Sequence, residues 1–280
     1  MSGGASARTL RVATCLTLPE PDVDEAPLAA ALEAAGIEAQ LLAWDDPRAD
    51  WDAPVPTIIR STWNYVPNLA AFLAWVDRVA AAAPLINPPD VVHANVHKRY
   101  LLELEARGVP IVPTTLVERG ATAELPRTKV VIKPEVGGGS VGTKVFADGR
   151  DGLAHLHELT SRGAALIQPY IDSVDDYGER SVIWIDGVLT HAVRKAPRFV
   201  GDSERIEGPF PIADDERAVA TAALAPYVDR ILYGRVDMAR DHAGQPRVME
   251  LELIEPSLFF ARGEGSVERY IAGLARRLSW

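Results

Sequence analysis

The stretch "VVIKPEVGGGSVGTKVF", residues 130–146, decides how this chain is read. Gly137, Gly139 and Gly142 spell G-x-G-x-x-G, the spacing of a dinucleotide-binding turn. Gly137 and Gly142, followed by Thr143 and Lys144, form a Walker-type loop with its last two residues exchanged. Both motifs hold phosphate on the amide dipoles of a helix that starts directly after the glycines. Here the continuation is "TKVFADG", which alternates, is β-branched and aromatic, and ends in a turn. It predicts a strand, and therefore a glycine hairpin between two strands. A kinase-type glycine loop also lies between strands, but the chain has no HRD or DFG element. Glycines let the backbone turn tightly and aim amides at phosphate oxygens. Lys133, just ahead of the loop, adds a point charge within reach of the same oxygens. Taken alone, the hairpin is equally consistent with a plain turn, so the rest of the chain must decide.

At 280 residues there is room for one large α/β unit or two to three smaller domains. A hydrophobic fraction of 48% with 24% charged residues places the chain among soluble globular proteins. The net charge of −10, without a basic stripe, argues against nucleic acid and against an anionic membrane surface. No apolar run approaches a membrane span, and the start "MSGGASARTLRVATC" lacks a signal-peptide core. The single cysteine, Cys15, has no disulfide partner and reads as a small core residue. A cytoplasmic location is expected. Of the 29 basic residues, five are lysine: Lys98, Lys129, Lys133, Lys144 and Lys195. In so lysine-poor a chain each is a candidate for work that arginine does not do. Lys129 and Lys144 read as solvated side chains.

Outward from the loop, the two halves of the chain differ. Residues 8–92 alternate strand and helix: "LRVATCLTL", "DEAPLAAALEAAG", "IEAQLLAW", "TIIRSTWNY", "NLAAFLAWVDRVAAA". That alternation predicts a parallel sheet with helices on it, whose ligands sit at strand carboxyl ends. "RSTWNY" (60–65) is at such an end. After the turn "NPPD" a helix is expected up to Gly108, then a short strand "VPIVPTT". From there the strands come as hairpins, with turns "WIDGVL" and "DHAGQP", and predict an antiparallel sheet over about 125–256. A terminal helix, "SVERYIAGLARRLS", closes the chain.

"GRVDMARDHAGQPRVMELELIEP" carries the second constellation. Strand alternation puts Glu250 and Glu252 on one face, and the hairpin can bring Asp237 opposite them. Three carboxylates on neighbouring strands suit Mg²⁺ shared with phosphates. Solvated strand acids are the plainer alternative, but the apolar flanks would leave a half-buried acid cluster in need of a cation.

With both constellations the chain resembles the ATP-grasp ligases over nearly its whole length. It is similar to the glutathione-synthetase and D-alanine–D-alanine ligase branches. It is most similar to the small branch that includes the ring-closing O-ureido-D-serine cyclo-ligase. The resemblance implies an α/β (α+β) ATP-grasp fold: an N-terminal α/β domain at 1–94, a central subdomain with the glycine loop at 95–165, and a C-terminal subdomain with the metal site at 166–280. It implies ATP and Mg²⁺ as cofactors and an amino-acid-like carboxylate as substrate. It leaves room for a homo-oligomer, a dimer or a tetramer. ATP is expected on Lys98, Lys133, Gly138, Gly139, Ser140, Val141, Gln168, Tyr170, Ile171 and Glu179. Metal is expected on Asp237, Glu250 and Glu252. Position 252 is glutamate where many relatives have asparagine, which leaves the number of metal ions open. Arg235 and Lys195 are expected to act on the transferring phosphoryl group. Arg60, Ser61, Thr62, Trp63, Tyr65, Glu255 and Ser257 are expected to face substrate. Packing between domains is the alternative for Trp63 and Tyr65.

The implied reaction activates a carboxylate as an acylphosphate, which a nitrogen nucleophile then attacks, with intramolecular ring closure expected. An intermolecular amino-acid or peptide ligase and a non-catalytic nucleotide-binding module stay open; the intact lysines and acids argue against the module. His93 and His97 read as surface histidines, and His155 and His157 as lacking partners. Tyr270 reads as packing. The turn-rich segment 198–211 is expected to be a lid.

Overall fold

The computed structural model describes residues 8–196 and 205–280. The first unit runs β1 (Arg8–Thr14), α1 (Glu25–Ala34), β2 (Ile37–Ala43), β3 (Thr57–Ser61), α2 (Leu69–Ala82) and β4 (Leu85–Ile86). Its strands form a parallel sheet in the order β2-β1-β3-β4. Every residue of β3 is buried, as an inner strand covered on both faces requires. In α2, Phe72, Trp75, Val76 and Val79 recur at helical spacing and are the buried stripe.

Two short helices follow, α3 (Pro89–Asn95) and α4 (Tyr100–Ala106). One continuous helix is expected here. The break falls at Lys98, whose N–H donates to the carbonyl of Glu135 (3.0 Å) instead of to the preceding turn. That bond ties the interruption to the end of the next sheet.

The central unit holds β5 (Thr115–Val117), β6 (Val130–Pro134), β7 (Lys144–Phe146), α5 (Leu153–Arg162) and β8 (Ala165–Pro169). Its antiparallel sheet has the order β5-β8-β6-β7. The last unit holds α6 (Ser173–Asp176), β9 (Glu179–Ile185), β10 (Val188–Lys195), β11 (Ile206–Phe210), α7 (Asp214–Leu224), β12 (Tyr233–Arg240), β13 (Pro246–Glu252) and α8 (Ser266–Arg277). Its sheet has the order β11-β10-β9-β12-β13. The single antiparallel sheet expected over 125–256 is thus two sheets, and the chain passes between them after Pro169. The β9–β10 turn has positive φ at both Asp186 (44°) and Gly187 (86°), the geometry that Asp-Gly favours in a tight hairpin.

"VPIVPTT" does not form a strand of its own in the central sheet, which it enters only at its last residue, Thr115, the start of β5. Pro110 and Pro113 remove amide donors, and only a short pairing forms against β13, with Val112 N–H on the carbonyl of Val248 (2.9 Å). The first half of the expected lid, 198–204, lies outside the described residues; its described half contains β11, paired with β10.

β13 is an edge strand, and side chains from the preceding helices cover it. Asn95 donates to the carbonyl of Leu251 and accepts from Leu253 N–H, both 2.8 Å, and the Tyr100 hydroxyl accepts from Leu251 N–H at 3.0 Å. Asn87 donates to the carbonyls of Tyr233 and Leu253, 2.8 Å each. These bonds satisfy an edge that would otherwise pair with another chain. They also fix Lys98, between α3 and α4, beside Glu250.

Candidate active site

Between the central and C-terminal sheets lies a cavity of about 440 Å³ that reaches the carboxyl end of β3. β6 supplies Lys133 and its hairpin supplies residues 137–141; the end of β8 supplies Gln168 and Tyr170. β9 and β10 supply Glu179 and Lys195, β12 supplies Arg235 and Asp237, and β13 supplies Glu250 and Glu252. Trp63, Tyr65, Glu255 and Ser257 close the other end.

The glycine segment links β6 to β7 with no helix after it, as the alternation of 143–149 predicts. It adopts left-handed backbone at Gly139, Ser140 and Gly142 (φ 56°, 62° and 75°), and two glycines at these positions make that inexpensive. Lys98 Nζ donates to the carbonyl of Gly137 (2.9 Å) and fastens the loop's root.

Register explains the acid cluster. On paired β12 and β13, Asp237 lies opposite Glu250 and Arg235 opposite Glu252. Each carboxylate is turned onto a cation. Arg235 grips Asp237 with two bonds of 2.9 Å and reaches Glu252 at 2.5 Å. Lys195 Nζ meets Asp237 at 2.8 Å and also pairs with Glu179. Glu250 takes Lys133 on one oxygen (2.9 Å) and Lys98 on the other (3.1 Å).

The charges tune one another. Burial opposes ionisation of Glu250, yet Lys133 and Lys98 hold its carboxyl down at about 2. Asp237 is buried too, and Arg235 and Lys195 hold it well below the usual carboxylate range. Burial weakens the charge on Lys98, but Glu250 and Glu252 more than restore it. Glu179 goes the other way, pushed up to about 7 by burial against the pull of Lys195. Glu255 is also raised to about 7, by burial and then by the neighbouring Glu252.

Among the described residues no three acids, histidines or cysteines gather as a ready metal cluster. The expected three-carboxylate set is present by residue and by strand, but cations stand among the carboxylates. The chemistry still fits nucleotide and a divalent ion. Lys98 and Lys133 can turn from Glu250 to phosphate oxygens, and Glu250 is then left for a cation.

Every expected ATP and metal residue lines this one cavity, as do Arg235, Lys195, Trp63, Tyr65, Glu255 and Ser257. Arg60, Ser61 and Thr62 are the exceptions. All three are buried in the wall at 2% exposure or less. Arg60 pairs with Asp24 (3.3 Å) and donates to the carbonyl of Pro256 (3.1 Å), and Ser61 shares a hydrogen bond with Thr14 (2.9 Å). The parallel sheet points these side chains into its own packing; the cavity begins at Trp63, whose Nε1 donates to the carbonyl of Glu255 (2.9 Å). Several lining residues escape the motif reading, Glu20 and Asn95 among them. Glu20 follows β1 in an irregular segment, and Asn95 sits on α3 with nothing but its helix position to mark it. His155 also differs from expectation: it is buried and its Nε2 bonds to the carbonyl of Gly142 (2.9 Å), while His157 meets Thr122 (3.1 Å).

Residues 10–87 match the model of the N-terminal domain of D-cycloserine synthetase DcsG. The cycloserine biosynthesis protein DcsG of Streptomyces lavendulae is 34% identical over 92% of this chain and 94% of that protein. The chain belongs to the DcsG family of ATP-grasp ligases. The crystal structure of D-cycloserine synthetase DcsG superposes with a TM-score of 0.87 at 32% identity, covering 96% of this chain and 99% of that one. The ATP-grasp fold extends further. D-alanine–D-alanine ligase from Bacillus anthracis, complexed with ATP, gives a TM-score of 0.67 at 15% identity over 98% of this chain and 97% of that one. The ATP-grasp ligase PsnB, complexed with a minimal precursor, Mg and ADP, gives 0.61 at 18% over 94% and 97%. As a DcsG-family member the chain is an ATP-dependent carbon–nitrogen ligase of natural-product biosynthesis. Among the described residues no helix is long and apolar enough to cross a membrane.

Proposed function

We propose that this ligase closes a ring: it activates the carboxylate of an amino-acid-derived substrate as an acylphosphate, and a nitrogen of the same molecule displaces the phosphate. The observation that carries the reading is the polarity of this cavity. Phosphate-directed cations, Lys98 and Lys133, occupy one flank, and the small aromatic and acidic end formed by Trp63, Tyr65 and Glu255 occupies the other. A tethered nucleophile has a high effective molarity, so one compact substrate end is sufficient. The likeness to D-cycloserine synthetase over nearly the whole chain supports a cycloserine-type product.

In this reading the chain divides near 94 and after Pro169, later than the expected boundary at 165/166 because β8 pairs within the central sheet, and ATP lies between the central and C-terminal sheets. Gln168, Tyr170 and Ile171 take the adenine, Glu179 the ribose, and 138–141 cover the phosphates. Asp237, Glu250 and Glu252 hold Mg²⁺, which when bound neutralises charge on the phosphoryl oxygens. Arg235 and Lys195 stabilise the transferring group. Glu255, Ser257, Trp63 and Tyr65 orient the substrate.

The test is ADP release with O-ureido-serine and a panel of amino acids, with product masses read alongside. The expected result is ADP release with one substrate alone, and a product lighter by water or by the fragment lost on closure. ADP released only when a second amine is present, with a product equal to both reactants less water, would overturn ring closure in favour of an intermolecular ligase.

A further inference from the structure

Asp24 stands at the N-cap of α1, just before Glu25, where an aspartate ordinarily caps its own helix, yet its side chain makes no such bond. It is fully buried and reaches across the chain instead. Its carboxylate accepts from three successive amides, those of Leu258 (2.5 Å), Phe259 (3.2 Å) and Phe260 (2.8 Å). Three consecutive N–H groups converging on one point form an anion nest, filled here by the protein's own carboxylate. Arg60 completes the grip, pairing with Asp24 and donating to the carbonyl of Pro256. The gripped loop includes Phe259 in left-handed backbone (φ 51°), which a bulky residue adopts only under constraint.

The far side of the same loop meets the active site. Arg235 Nη1 donates to the carbonyl of Ser257 (3.1 Å), and the Arg235 guanidinium lies 5.8 Å from the ring of Phe259. Its other donors hold Asp237 and Glu252. Sheet register fixes those two partners, but nothing in the sheet fixes Ser257.

We propose that Asp24 and Arg60 are positioning residues for the ligase reaction: a buried latch from the N-terminal unit that sets the 256–260 loop, and through Ser257 aims Arg235 at the transferring phosphoryl group. The inference rests on the function proposed above. It predicts that loosening the latch slows turnover without weakening the nucleotide, whose adenine end lies on β8.

Asp24→Asn combined with Arg60→Met removes both charges together, so that neither is stranded in the core. In that variant ADP affinity by calorimetry should equal wild type, while kcat for ADP release falls on the order of 10- to 100-fold, the scale of a misplaced catalytic group. An unchanged kcat overturns the latch. So does a parallel fall in kcat and ADP affinity, which would mean general loosening. Hydrogen exchange on the wild-type protein is independent of how the variant folds: the amides of Leu258, Phe259 and Phe260 should exchange slowly, and exchange as fast as an exposed loop also overturns the proposal. If the wild-type protein releases no ADP with any substrate, the proposed function fails, and the exchange result still reports on the latch by itself.

Discussion

Two buried arginine–aspartate pairs lie on either side of one loop. Arg60–Asp24 is sealed, with side-chain exposures of 1% and 0%. Arg235–Asp237 is nearly as buried, at 8% and 1%, but faces the cavity. Composition does not distinguish them, and in sequence both arginines look like ligand contacts. The difference lies in what fills the remaining hydrogen-bond positions. Around Asp24 they are taken by backbone amides, which cannot leave. Around Asp237 and its neighbours they are taken by side chains, Lys195 and Arg235, which can change partners. A sealed pair sets geometry; an open pair can accept a ligand.

The strongest way to break this comparison is Asp24→Ala. It strands the Arg60 charge and three buried amides, and should cost about 3–5 kcal/mol of stability. Urea unfolding reads this directly, and a midpoint near wild type would remove the distinction between the pairs.

Asp237→Asn is the matching change on the open side. Arg235 keeps Glu252 and Lys195 keeps Glu179, so no cation is stranded and the melting temperature should move little. Turnover should instead fall on the order of 10²–10³-fold, the scale seen when one charge-stabilising group is removed. ADP release and thermal melts, measured together, check it. A large stability loss with modest loss of turnover would reverse the roles assigned to the two pairs.

This contrast also marks what was legible in the sequence. The glycine hairpin was, because the alternation of 143–149 excludes the helix that both rival motifs need. Asp237 opposite Glu250 was, because hairpin register and side-chain alternation are local rules. Arg60 was not. Being at a strand's carboxyl end predicts proximity to a ligand, but which way the side chain points depends on how distant segments pack, here the turn beginning at Pro256. Asp24 was invisible for the same reason: its partners lie at 258–260, at the other end of the chain. The helix break at Lys98 was hidden as well, since its cause is a hydrogen bond to Glu135 rather than a glycine or proline.

Lys133→Met sharpens the claim that open pairs exchange partners. Lys133 is held on Glu250, and the nucleotide should take it over. Loss of that charge-assisted contact should weaken ADP or ATP binding by about 1.5–3 kcal/mol. Calorimetry showing unchanged affinity would mean that the lysine stays with Glu250 when nucleotide binds.

The smallest expected effect concerns an acid at the open end that forms no ion pair among the described residues. Glu250 is held at about 2 by two lysines, whereas Glu255 is raised to about 7 by burial and by Glu252, with Tyr65 and the more distant Lys98 lowering it only in part. An acid with a folded pKa of about 7 against an ordinary 4.5 binds more proton in the folded state between those values. Its contribution to stability therefore falls as pH rises through that window, and the full penalty is present above it. Glu255→Gln removes the titrating group. The variant should be more stable than wild type at about pH 8, by roughly 1 kcal/mol once cavity water is allowed for, with the gap closing as the pH drops toward about 4.5. Urea midpoints at both ends of the window check this. A stability difference that is the same at both ends would show that Glu255 acts through packing, and that the open end of the site is not under electrostatic strain.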